Sequence, residues 1–200
     1  DLFLFNLAIV AAIISLIRAP LHSDTFAISF TSLAIASWGI GSLYSSLAQY
    51  LNFEVNSLLF SNITYSLFYP FAFLAIPRIL GRRQRLRLLE LLDAVIFGLG
   101  LSSIVTALIL IQFISNIPGD STSAFFAVLY PVCDIALVVI AVVSAVVSGL
   151  STRSTLLITG VLAFAITDFY FLWEQINDSY QFGQISDNGW LLGITIITLS

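Results

Sequence analysis

The chain has 200 residues, of which 59% are hydrophobic and 9% charged, and its mean hydropathy is +1.04. A soluble domain carries roughly a quarter charged residues, so water is excluded as the main solvent and a lipid bilayer fits. Eleven acidic against seven basic residues, a net charge of −4, leave no basic patch for nucleic acid.

All seven bases are arginine. Without a lysine amine there is no retinal Schiff base and no pyridoxal or phosphate-loop chemistry. His22 is the single histidine and Cys133 the single cysteine. Together they supply too few ligands for a haem, a zinc or a thiol-catalytic site, and Cys133 has no intrachain disulfide partner. No cofactor and no metal are expected. The chain opens on Asp1 and ends within an apolar run at Ser200, which reads as a fragment of a longer protein.

The apolar runs predict an all-α, polytopic transmembrane bundle of about seven helices forming one domain over 1–200. In chain order they cover 2–17, 25–51, 55–80, 89–114, 122–149, 154–176 and 186–200. The complete runs reach the roughly 20 residues that a spanning helix needs. Strands are excluded because the runs are long and show no strict alternation, and in lipid only a helix satisfies its own backbone. Pro70, Pro77 and Pro131 fall inside runs, where they are expected to kink rather than break helices.

Arginines set the orientation. Arg18 follows the first run, Arg78, Arg82, Arg83, Arg85 and Arg87 lie at or beyond the end of the third, and Arg153 follows the fifth. Alternating spans place all three on one face, expected to be cytoplasmic. Asp1, Glu54, Asp120, Glu174, Asp178 and Asp187 then fall outside. The amino end is outside and the carboxyl end inside, where a further domain could follow.

Asp134 and Asp168 lie inside apolar runs, where a carboxylate is costly and points into the bundle. Each is 17 residues from Ser151, at the turn between the fifth and sixth helices. Folding the hairpin there brings both acids to one depth, in the outer half of the membrane. Gly160 and Ala165 near Asp168 would let a neighbouring helix approach. The pair reads either as a proton-linked or ligand-binding site, or as two acids that are protonated, or bond a Ser, Tyr or Trp across the bundle, and fix packing. Tyr69-Pro70 and Tyr130-Pro131, 61 residues apart, hint at an internal repeat, with Ser61 and Thr122 each eight residues before the tyrosine.

The outer segments are aromatic and acidic: Gln49 to Glu54, and Glu174 to Asp187 with Tyr180, Phe182, Trp173 and Trp190. They read as walls of an outward-facing pocket or as an interfacial aromatic belt. Arg82 to Glu90 (RRQRLRLLE) could hold anionic lipid or serve as a topology determinant. Asn62-Ile63-Thr64 matches a glycosylation acceptor but falls near a helix start.

The carboxyl half, YPVCDIALVV (Tyr130 to Val139) and ITDFYFLWEQINDSYQFGQISDNGWLLG (Ile166 to Gly193), resembles the multi-helix membrane region at the amino end of bacterial GGDEF and GGDEF–EAL proteins. Those are cyclic-di-GMP synthases and phosphodiesterases. The matching pattern is Tyr130, Pro131 and Asp134; Asp168 and Tyr170; Tyr180 and Gly183; then Asp187, Trp190 and Gly193. Trp38 through the Tyr69-Pro70 helix to Leu92-Asp93-Ala94 is similar more loosely, so the resemblance covers most of the chain. It implies a sensory input domain of the bacterial inner membrane, homodimeric through itself or through a cytoplasmic output module. The chain holds no GGDEF or EAL segment, so it is not itself expected to be an enzyme, and no catalytic residue is assigned. The candidate ligand or proton residues are Asp134, Asp168, Tyr130, Trp173, Tyr180 and Trp190. The alternative function is a small transporter or proton-linked protein working through Asp134 and Asp168.

Overall fold

A computed structural model describes residues 2–18, 25–51, 57–80, 93, 96–97, 99–104, 107–108, 121–177, 179–181 and 183–200. Every regular element among them is helical, so the fold is all-α. The helices are α1 (Leu2–Ile17), α2 (Thr25–Tyr50), α3 (Ser57–Ser66), α4 (Phe68–Leu80), α5 (Ser121–Ser148), α6 (Thr152–Ile176) and α7 (Asn188–Leu199), with a 3₁₀ turn at Ile185–Asp187 before α7. Most of the expected 89–114 helix, the Arg82–Arg87 run, His22, Glu54, Asp120, Asp178 and Phe182 lie outside the described residues.

Among the described residues four helical stretches are long and apolar enough to cross a membrane: Thr25–Tyr50, Leu59–Leu80 (α3 and α4 taken together), Ala124–Ser148 and Thr152–Ile176. The terminal apolar helices, Asn6–Ile17 and Ile185–Leu199, are shorter. On α2 large apolar side chains such as Leu33, Ile40, Leu43 and Leu47 are exposed, while Thr31, Ser37, Ser42 and Ser46 are buried beside Ala34, Ile35 and Trp38. Lipid tails are as apolar as leucine, so helices in a bilayer gain from small, closely packed interfaces rather than from hiding large apolar groups. Several hydroxyls bond within their own helices: Thr31, Ser46, Thr167 and Thr198 each donate to the carbonyl four residues back, at 2.7–2.8 Å.

The chain divides into two compact units, Asp1–Ile79 and Leu80–Ser200. In the first, α2 lies between α1 and α3. Gly39 and Gly41 are two residues apart, so they face nearly opposite sides of the helix. A Cβ on Gly39 would stand 2.7 Å from Ile9 of α1, and one on Gly41 would stand 2.8 Å from the Tyr65 ring of α3. The α2–α3 seam is polar as well as tight: Ser45 Oγ donates to Ser61 Oγ at 2.8 Å and lies 3.3 Å from the Tyr65 hydroxyl. The helical path from α3 to α4 is interrupted at Leu67. Pro70 is the cause, because it has no N–H to offer the Ser66 carbonyl. Arg78 in the last turn of α4 lies 4.7 Å over the Phe26 ring of α2, and Phe71 faces Phe30 at 6.0 Å, so α4 runs back along α2.

In the second unit α5, α6 and α7 follow one another as antiparallel neighbours. The α5–α6 turn falls where expected. Gly149 takes φ +87°, the left-handed conformation that favours glycine. Ser151 then caps α6, exchanging bonds with Ser154 in both directions (3.2 and 2.7 Å). Pro131 sits inside α5 without ending it, and one residue on the Val132 carbonyl accepts a bond from buried Ser102. The two Tyr-Pro pairs are set differently: Tyr69 is buried with Pro70 exposed, whereas Pro131 is fully buried beside a half-buried Tyr130.

Candidate functional site

The α6–α7 pair builds the site. Its seam is held by glycines: a Cβ on Gly160 would stand 2.9 Å from the Ile197 backbone nitrogen, and one on Gly193 would stand 3.0 Å from Phe164. Gly189, four residues before Gly193, meets Thr167 in the same way. This G-x-x-x-G stripe lets the two backbones approach closely. Gly160 therefore serves the approach of α7. At one end of the seam the Arg153 guanidinium bonds the Ser200 carbonyl, a favourable place for a cation beside a helix carboxyl end.

At the other end α6 terminates at Asn177, whose amide N–H donates to Trp173 O at 3.2 Å. Ser179 N–H then donates to Glu174 O at 3.0 Å. Gly183, at φ +87°, turns the chain back toward α7. These returns carry polar and aromatic side chains over the end of α6.

Asp168 is buried on α6, and its Oδ1 accepts a 2.7 Å hydrogen bond from Trp190 Nε1 of α7. The Phe171 ring stands edge-on to Trp190 at 5.5 Å and to Tyr180 at 4.6 Å, which joins the three aromatics. Glu174, 6% exposed, accepts from Gln184 Nε2 at 2.5 Å and from Ser186 Oγ at 3.4 Å. Asp187, 9% exposed, accepts from Gly183 N–H at 2.7 Å through Oδ2. Burial pushes the Asp187 carboxyl above its ordinary range, and the nearby Glu174 charge adds to that. The Gly183 and Gln184 amides and the Tyr180 hydroxyl pull it the other way.

The remaining candidates separate. Asp134 is 1% exposed on α5, one turn after Tyr130, whose ring stacks on Phe126 at 6.0 Å. Asp134 lies about 21 Å along α5 from its end at Ser148, and Asp168 about 24 Å from the start of α6 (1.5 Å per residue). Trp173 stands apart, 49% exposed and stacked on Tyr170 at 5.8 Å. Thr64 of the Asn62-Ile63-Thr64 triplet is buried in α3, its hydroxyl bonded to the Ser61 carbonyl at 2.8 Å.

Phe171 joins the site without having been singled out for it, and Glu174 and Gln184, which fall in the 174–187 stretch read as a possible pocket wall, were not among the named candidate residues. Phe171 carries no chemical signal in sequence. Glu174 carries one: an acid in the last turn of a helix opposes the helix dipole and needs donors from elsewhere. Among the described residues no group of three or more His, Cys, Asp or Glu side chains could hold a metal ion. Compared with known protein families, with curated proteins and with solved structures, the chain gives no match.

Proposed function

We propose that this chain is a membrane-embedded sensory input domain, in which the end of α6, the turn after it and the start of α7 form the receiving site. The observation that carries this reading is the Asp168–Trp190 bond. It ties the position of α7 to a polar cluster at the end of the bundle opposite Arg153. With the positive-inside orientation that cluster faces outward in the bacterial inner membrane, and the far end of α7 delivers the chain to the cytoplasm. A stimulus that rearranges the turn shifts α7 against the glycine seam. Packed helix interfaces hold discrete arrangements rather than deforming continuously. The resemblance to GGDEF-associated membrane regions supports a cytoplasmic cyclase or phosphodiesterase as output, working across a homodimer.

The test is the coding sequence after Ser200. A GGDEF, EAL or kinase module joined by a short helical linker is the expected finding. A stop codon soon after α7 would overturn the sensory reading.

A further inference from the structure

Two carboxyls are buried at the α6–α7 turn, and among the described residues of this unit no cation stands beside them. Glu174 is 6% and Asp187 9% exposed, and Glu174 acts on Asp187 as a like charge. Arg153, the one basic side chain among the described residues of this unit, lies at the opposite end of α6, about 31 Å away along the helix. Asp187 Oδ1 is buried without a hydrogen bond of good geometry, while the Gly183 amide donates to Oδ2 and the Tyr180 hydroxyl and Gln184 amide act on the carboxyl as a whole. The residue occupies the N-cap of α7, yet its side chain caps no α7 amide and turns back to Gly183 instead. A buried carboxylate oxygen without a well-placed donor is costly in a low-dielectric site, and a proton is the smallest ligand that lowers the cost.

We propose that Asp187 is a proton-binding site, set against Glu174, and that its protonation decides how the Gly183 turn holds the start of α7. The groups facing it are Glu174 from α6 and Tyr180 and the Gly183 and Gln184 amides from the connecting turn. α7 itself, Asn188–Leu199, contributes no titratable side chain. Ionised, Asp187 draws the Gly183 amide to itself and repels Glu174. Protonated, it loses that repulsion and gains an O–H donor. The transferred species is a proton alone, so no oxidant or co-reactant is needed. The site is independent of any output module; only its use as the stimulus rests on the sensory reading.

The test is infrared pH-difference spectroscopy on the whole protein in lipid vesicles, following protonated carboxyl bands. The expected result is a carboxyl that takes up its proton above the ordinary aspartate range and is missing from Asp187→Asn. Its midpoint falls in Glu174→Gln, which removes the like charge and keeps an acceptor for Gln184. An unchanged titration in Asp187→Asn, or a midpoint unmoved in Glu174→Gln, overturns the proposal and leaves the sensory reading standing. If Asp187→Asn does not fold, the Glu174→Gln shift decides alone.

Discussion

Trp190 Nε1 of α7 donates to Asp168 Oδ1 of α6 at 2.7 Å, across a seam where Gly160 and Gly193 bring the helices together. The bond makes an acid in an apolar helix tolerable by giving it a donor. It also ties α7 to α6 at this point of the seam.

Trp190→Phe keeps the ring and removes the donor. It is expected to cost about 1–2 kcal/mol, the upper part of the range for interhelical hydrogen bonds in membranes. Asp168→Asn retains an acceptor oxygen and should cost less, whereas Asp168→Leu should cost as much as Trp190→Phe. Reversible unfolding in mixed micelles measures the order.

Gly160→Ala puts a methyl 2.9 Å from the Ile197 backbone nitrogen, where no flexible side-chain tip can yield. It is expected to cost about 1–3 kcal/mol through overpacking and to loosen α7. Gly149→Ala meets nothing within 4 Å but sits at φ +87°. Its expected cost of about 1–2 kcal/mol is conformational and leaves the α6–α7 seam intact. Stability alone does not separate the two; disulfide cross-linking across the seam does, falling in the first variant and unchanged in the second.

Ser151→Ala removes the hydroxyl that accepts from Ser154 N–H at 3.2 Å. A lost N-cap costs about 1 kcal/mol, and the effect should appear as faster amide exchange in the first turn of α6 with the far end of the helix unaffected.

The Asp187 carboxyl has a folded-state pKa raised chiefly by burial. The native state therefore binds that proton more tightly than the unfolded chain. The contribution is fully present below the unfolded aspartate value and is lost as pH rises through the folded one. Stability of the second unit should fall across that window, and Asp187→Asn should flatten the fall. Unfolding midpoints across the acidic range test the sign.

Much of the architecture was legible because lipid leaves one solution for the backbone. The expected helices over 25–51, 122–149 and 154–176 stand at Thr25–Tyr50, Ser121–Ser148 and Thr152–Ile176, since the apolar runs end where polar turn residues begin. Pro70 announced a kink in the third run, and the structure has its interruption at Leu67. That Asp168 would find a Trp, Tyr or Ser across the bundle was one of two open readings, and Trp190 is the partner. What stayed illegible depends on three-dimensional return. Nothing local says that Gln184 comes back over Glu174, that Phe171 bridges Tyr180 and Trp190, or that Trp173, one turn after Tyr170, stacks on it outside the cluster. The Ser45–Ser61–Tyr65 contacts were hidden for the same reason, because serine in an apolar run more often bonds its own helix.

The most direct test of the sensory reading is nucleotide turnover by the full-length protein in lipid vesicles, wild type against Trp190→Phe, at equal amounts of folded protein. The expected result is cyclic-di-GMP synthesis or hydrolysis that differs between the two although the substitution lies in α7, outside the output module. Equal turnover across the outside pH range would contradict the claim that the α6–α7 contact governs an output.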